Sequence, residues 1–469
     1  MNRVSLKLMH TWLGLGSRFL PFADAATPDL PLGRLMRLSM FQVTVGMALV
    51  LLVGTLNRVM IVELEVPASL VGVMISLPLL FAPFRALIGF KSDTHQSALG
   101  WRRVPFIFRG TMVQFGGLAI MPFALLVLSG GGESARYPIW VGHIGAGIAF
   151  LLVGAGLHTV QTIGLALATD LAPPESQPKV VGLMYVMLLL GMIVSAVCFG
   201  AALADFSPLR LIQVIQACAV ITIVLNGVAA WKQEGRHAAR RNPARSQPSF
   251  RESWDSFAQG GHAVRRLLAV GFGTMGFSMA DVLLEPYGGQ ILHLSVGATT
   301  SLTATLAGGG LIGLAIASRV LSRGADPFRM ASYGVMTGVP AFVAVMAASP
   351  YQAPEFFAVG TLMVGFGAGL FGHGTLTATM NLAPRTQVGL ALGAWGAAQA
   401  IAAGLAIAVG GIIRDLVTSA PIESQLGPAA GYMCVYALEI ILLIWTLVTM
   451  APLMRQSIGV SARSRGPSV

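Results

Sequence analysis

Two stretches of the chain repeat one another in the same direction. Gly154-Ala-Gly-Leu157 runs on to Asp170-Leu-Ala-Pro173, and Gly367-Ala-Gly-Leu370 runs on to Asn381-Leu-Ala-Pro384. Each copy is followed by a Gly-Leu pair, Gly182-Leu183 and Gly389-Leu390, that opens another apolar run. The copies lie about 210 residues apart (170 to 381), close to half of the 469-residue chain, as a duplicated unit requires. The repeat therefore predicts two parallel halves.

Composition states which solvent those halves face. Hydrophobic residues make up 55% of the chain and charged residues 10%, with a mean hydropathy of +0.74. A soluble domain carries about a quarter charged residues, so this surface needs lipid. The net charge of +11 does not point to nucleic acid, because the basic residues fall between apolar runs rather than along one face. Cys198, Cys218 and Cys434 all lie inside apolar runs without CxxC spacing, and read as small packing residues.

A bilayer core needs about 20 apolar residues per helix. Runs of that kind fall at 38–61, 67–90, 105–129, 138–168, 181–203, 210–231, 265–287, 296–320, 330–348, 354–379, 388–411 and 430–454. About twelve spans in two parallel repeats of six are the layout of the major facilitator type of transporter. The predicted fold is thus an all-α membrane protein, a six-helix bundle over 38–231 and another over 265–454. They are flanked by segments 1–37, 232–264 and 455–469. Basic residues concentrate in alternate connections: Arg34 and Arg37 before span one, Lys91, Arg102 and Arg103 after span two, Arg240, Arg241 and Arg245 in the central linker, Arg455 at the end. The positive-inside rule then puts both termini and the linker in the cytoplasm of an inner-membrane, multi-pass protein.

The N-terminal segment does not read as a secretory signal, since Lys7, His10, Arg18 and Pro21 interrupt any apolar core. Val4, Leu8, Trp12, Leu15 and Phe19 recur at helical spacing, which fits either an interfacial helix or an irregular lead-in. Phe250, Trp254 and Phe257 repeat the pattern in the linker, after Ser249 as N-cap and before Gly260-Gly261 as a stop.

Between spans two and three, Gly89-Phe-Lys91-Ser-Asp93 is followed by Gly100-Trp-Arg102-Arg103, similar to the loop signature of major facilitators: a glycine, an acid, then a basic pair. In that signature the carboxylate faces the N-terminus of another helix, where the dipole and free N–H groups stabilise it. Asp93 is therefore expected near the start of span eleven, at Val388 to Leu390. Here Thr94 to Leu99 separate the two parts of the motif, and a plain solvated basic loop is the other reading. Glycines are dense in spans four, ten and eleven, where small residues let helices approach closely in lipid. Gly365-x-Gly367-x-Gly369 lies in mid-span with no preceding strand and is no nucleotide loop. No hydrolase elbow, P-loop or metal-spaced cluster is present, so the sequence does not read as an enzyme or predict a metal or nucleotide.

Ionisable residues inside spans are expensive and informative. Arg58 in span one and Asp281 and Glu285 in span seven occupy matching places in the two halves, about 20–30 Å along their helices. Asp281 and Glu285 are spaced i, i+4 on one helix face. Burial demands a partner, so Arg58 is expected to pair with Asp281 or Glu285 as a periplasmic gate. Glu63 and lipid headgroups are its alternative partners. His158 and His373 sit in the glycine-rich stretches of spans four and ten. Neutral imidazole suits the magnesium of a chlorophyll-type macrocycle, and neighbouring glycines would leave room for a flat ring. A histidine hydrogen-bonded within the bundle, to Thr159, Gln161, Thr162 or Thr375, is the other reading.

Three longer strings are more specific. Gly89-Phe-Lys-Ser-Asp-Thr-His-Gln-Ser-Ala-Leu-Gly-Trp-Arg-Arg-Val-Pro-Phe106, Ala280-Asp-Val-Leu-Leu-Glu-Pro-Tyr-Gly-Gly289 and the run from Gln114 to Ala124 resemble the PucC/LhaA family. The likeness extends from about Arg18 to Met454. That family comprises photosynthetic-membrane proteins of purple bacteria, the bacteriochlorophyll delivery branch of the major facilitators. The resemblance implies an assembly factor for light-harvesting complex 1 or 2. It would handle bacteriochlorophyll as a bound ligand, with antenna polypeptides, pigment-synthesis enzymes and membrane lipids as partners. It supplies no pigment-binding residues. A secondary transporter of a small amphipathic solute is the competing class.

Overall fold

The computed structural model describes residues 30–80, 100–173, 176–234, 263–382, 388–420 and 427–463, with 25, 27, 88, 91 and 92 besides. The surface helices expected at 4–19 and 250–257, Gly89 and Asp93 of the loop, and Ala383-Pro384 of the second repeat copy all lie outside these residues. The described elements are helices: α1 (Leu32–Glu63), α2 (Ala68–Leu80), α3 (Val104–Leu128), α4 (Ile139–Leu171), α5 (Gln177–Ala202), α6 (Pro208–Ala230), α7 (Val264–Gln290), α8 (Val296–Leu321), α9 (Pro327–Tyr351), α10 (Pro354–Leu382), α11 (Val388–Ser419) and α12 (Ala430–Arg463). Eleven are long and apolar enough to cross a membrane, and the described part of α2 is the shorter twelfth. The chain is a multi-pass membrane protein.

The duplication is visible in which helices touch. In the first half α3 packs on α4 and α6, α2 on α4, and α1 on α4, α5 and α6. Adding six to each number gives the contacts of the second half: α9 on α10 and α12, α8 on α10, and α7 on α10, α11 and α12. The halves meet through α2 with α11 and α5 with α8, which the same operation interchanges. Glycine carries both crossings. A Cβ at Gly411 would stand 2.5 Å from the Ala68 carbonyl, and one at Gly297 2.6 Å from that of Gly200. With no water to drive association in lipid, such close backbone approach supplies the dispersion contact that holds helices together.

Large apolar side chains such as Phe108, Phe123, Val194 and Trp445 are exposed on the outside, as a lipid-facing surface requires. Tyr137, Trp140, Trp231 and Tyr351 place exposed aromatic rings at helix ends, where amphipathic rings meet headgroups.

Spans one and seven differ from the uninterrupted helices that their apolar runs suggest. α1 widens to π geometry over Val50–Leu56 and Val59–Glu63. α7 breaks at a 3₁₀ turn, Ala280–Val282, before resuming as Leu284–Gln290. These irregular stretches face each other, and the candidate site lies where they meet.

Candidate functional site

The break in α7 has a local cause. Pro286 has no N–H to give the carbonyl four residues back, Val282, and its ring crowds that carbonyl. Backbone groups left unmatched at membrane depth cost several kcal/mol each, so irregular backbone survives only where protein satisfies it. Asn57 on α1 does so: its Nδ2 donates to the Val282 carbonyl at 2.9 Å and to Val53 of its own helix at 2.9 Å. On the other side of the break, the Ala280 N–H donates to Oε1 of Glu439 on α12 at 2.7 Å, and Glu439 is fully buried. The outer part of α7 is then anchored by Tyr287, whose ring lies 5.4 Å from Phe357 and from Tyr432 and 5.6 Å from Tyr436. Its hydroxyl donates to the Val345 carbonyl at 3.1 Å.

The expected pairing of Arg58 with the acids of span seven is corrected by the structure. Arg58 is only 3% exposed, and its Nη1 pairs with Glu63 at 2.5 Å while Nη2 donates to the Leu294 carbonyl at 3.0 Å. The reason is the π turn that separates them. Residues five apart diverge by about 140° on an α-helix, whereas i→i+5 bonding stacks them. Val59–Glu63 therefore brings Glu63 under Arg58. The alternative partner named by the sequence is the one selected.

Asp281 and Glu285 do come together. Both line a cavity of about 160 Å³ between the halves, with Gly54 and Val53 of α1, Met192 of α5, Thr303 of α8 and Thr361 of α10. Thr303 donates its hydroxyl to Glu285 Oε1, while Glu285 Oε2 is buried with no hydrogen-bond partner. Gly54 makes room for this carboxyl group: a Cβ there would stand 2.5 Å from Oε1.

At the same end of the molecule the halves are tied by polar contacts. Asp415 of α11 accepts the Ser69 N–H at 2.7 Å, placing a carboxylate on the N-terminus of α2, where the dipole favours it. Arg414 holds Asp415 at 2.9 Å and donates to Gln290 Oε1 at 2.6 Å, which also accepts the Tyr432 hydroxyl at 2.6 Å. Asp93, for which such an acid–helix contact is expected, lies outside the described residues, as do the side chains of 388–390. At the basic end, Arg102 and Arg103 pair with Asp170 of the first repeat copy at 3.2 and 3.1 Å. Gly100, at the head of the basic pair, has a positive φ of 78°, a conformation costly for a side-chain-bearing residue. Glu234 accepts the backbone N–H groups of Arg102, Arg103 and Val104, so it caps α3.

His158 and His373 each stand nineteen residues into their helices (139 to 158, 354 to 373) and are half-buried. One turn earlier, Gly154 meets Pro78 of α2 and Gly369 meets Gly310 of α8, so the two histidines occupy matching flanks of the halves. Neither lines the cavity. Glu439, Asn57 and the Arg414–Asp415 pair were absent from the sequence reading. Glu439 carried a usable signal: it is an acid flanked by Leu438 and Ile440 in the middle of an apolar run. Asn57 carried none, because nothing local says that it faces a broken helix.

Comparison with known proteins follows the same outline. The family model described as "PUCC protein" matches residues 55–458. Protein PucC of Rhodovulum sulfidophilum is 64% identical over 420 residues, covering 89% of this chain and 92% of its own. The "Bacteriochlorophyll synthase 44.5 kDa chain" of Rhodobacter capsulatus is 27% identical, over 82% of this chain and 88% of that protein. Among solved structures, a D-xylose-proton symporter superposes with a TM-score of 0.69 at 13% identity, covering 88% of this chain and 96% of that one. At that identity the likeness shows the fold, which is the major facilitator arrangement.

Proposed function

The chain belongs to the PUCC protein family, and from that premise we propose that it is an integral-membrane assembly factor for a purple-bacterial light-harvesting antenna, complex 1 or 2, handling bacteriochlorophyll, antenna polypeptides or both. The observation that carries this reading is that one of the strings resembling the family builds the site. Ala280–Gly289 supplies the 3₁₀ break, both acids, Pro286 and the Tyr287 anchor. A relative whose name includes bacteriochlorophyll synthase agrees with it.

The cavity lined by Asp281 and Glu285 does not enclose the pigment. A cavity of about 150 Å³ admits a benzene ring, and 160 Å³ is far too small for a tetrapyrrole. Pigment would instead be held on the flanks of the bundle, with His158 or His373 ligating magnesium through a ring nitrogen. Antenna polypeptides are single apolar helices by this reading, and would dock on the exposed lipid-facing surfaces. The positive-inside pattern favours both termini in the cytoplasm, in the photosynthetic inner membrane. Purification in gentle detergent from pigment-making cells tests the assignment. Bacteriochlorophyll and antenna polypeptides should co-purify with the chain. Their absence, together with solute flux into liposomes, favours the secondary-transporter reading, for which the cavity between the halves is the supporting observation.

A further inference from the structure

Among the described residues neither acid that lines the cavity forms an ion pair, although the charge of Arg58 acts on Glu285 from a distance. Arg58 is committed to Glu63 and the Leu294 carbonyl. Glu285 is 5% exposed, and its Oε2, with the Thr300 hydroxyl nearby, makes no hydrogen bond of good geometry. Such an oxygen asks for a donor. Protonation alone would not supply one, because it turns the acceptor into an O–H that itself needs an acceptor. Among the described residues no three His, Cys, Asp or Glu side chains converge as a metal site, so a divalent cage is not what these acids form. Apart from Thr303 and Thr361 the remaining walls are apolar, among them Leu49, Val53, Met192, Leu306 and the Phe357 ring.

We propose that the cavity bounded by α1, α5, α7, α8 and α10 is a binding site for a small organic ammonium ion with an apolar body, with Glu285 and Asp281 as its anionic partners. An ammonium group brings several N–H donors at once, enough for Glu285 and Asp281 together. The Thr361 hydroxyl, which donates to the Phe357 carbonyl, keeps lone pairs to accept another. The aliphatic walls and the Phe357 ring suit the apolar body, and an aromatic face also attracts cations. The volume, about that of a benzene-sized guest, limits the body to a single small ring or short chain. This site is separate from pigment handling, so either reading can fail without the other.

The test uses the full chain in lipid nanodiscs with benzylammonium as probe and benzyl alcohol as its uncharged counterpart, read by calorimetry and thermal unfolding. Benzylammonium should bind saturably and raise the melting temperature, and benzyl alcohol at equal concentration should not. Glu285→Gln should weaken benzylammonium binding at least tenfold. Asp281→Asn should weaken it as well, and carries the test if the first variant fails to fold. Equal binding of the two probes, no binding of either, or affinity unchanged by both substitutions would overturn the site. Pigment co-purification measured on the same variants separates this outcome from that of the assembly reading.

Discussion

The guanidinium of Arg58 lies over Gly289, where a Cβ would stand 3.0 Å from Nη2 and 3.1 Å from Nε. The relationship is reciprocal, because Glu285 on α7 lies against Gly54 on α1 in the same way. Each of these two helices places an ionisable side chain where its partner has none. The charges therefore enter the interface without forcing the helices apart, and each stays close to its own hydrogen-bond partners, Glu63 and Thr303.

The two notches should not tolerate filling equally. A Cβ at 54 would press on the Glu285 carboxyl group and stand 3.2 Å from Thr303 Oγ1, both held in place. At 289 the nearest atom, Arg58 Nη2, would be 3.0 Å away, so a smaller shift suffices. Gly54→Ala should cost about 1–3 kcal/mol, the usual range for overpacking, and Gly289→Ala clearly less. Thermal unfolding in detergent measures both, and equal costs would contradict the difference in clearance.

Glu63→Gln should be more harmful than its partial exposure suggests, because it leaves a buried guanidinium without a counter-charge, with only neutral acceptors in the glutamine amide and the Leu294 carbonyl. The double variant Arg58→Gln/Glu63→Gln should recover part of the loss, with a coupling of roughly 0.5–3 kcal/mol. Additive losses in that double-mutant cycle would show that the pair is not an energetic unit.

Glu439→Leu should destabilise the protein by about 1–3 kcal/mol, the cost of a buried donor left unmatched, since the Ala280 N–H then has no acceptor from α12. Glu439→Gln keeps a carbonyl oxygen in place and should cost less. Hydrogen exchange at the Ala280 amide gives a direct readout, with fast exchange expected in the leucine variant.

Asp415→Asn removes charge from the N-terminus of α2 and from beside Arg414 while keeping an acceptor for the Ser69 N–H. The expected loss is about 0.3–1 kcal/mol, with faster exchange of the Ser69 amide. Asp415→Ala removes both contributions and should roughly double the loss.

His158→Leu and His373→Leu should each lower the bacteriochlorophyll that co-purifies with the chain without unfolding it, if the flanks hold pigment. Absorption spectra of the purified variants check this. Full pigment retention in the double variant would remove both histidines as ligands.

The sequence by itself determined the architecture. Lipid cannot hydrogen-bond a backbone, so each crossing must be a long apolar helix, and such runs can be counted directly. The repeat from Gly154 to Pro173, met again from Gly367 on, likewise announced the pairing of contacts that relates α3–α4 to α9–α10. What only the tertiary structure decided was partnership at the centre. Arg58 had three acids within plausible reach, and the choice of Glu63 turned on a π turn that no apolar pattern encodes. Pro286 was visible as a residue without an N–H, yet the groups that compensate for it come from Asn57, far away in the chain, and the break it makes is closed by Glu439 on the last helix. Span length is a property of one segment and its solvent. The satisfaction of a broken helix belongs to whichever neighbours the fold brings beside it.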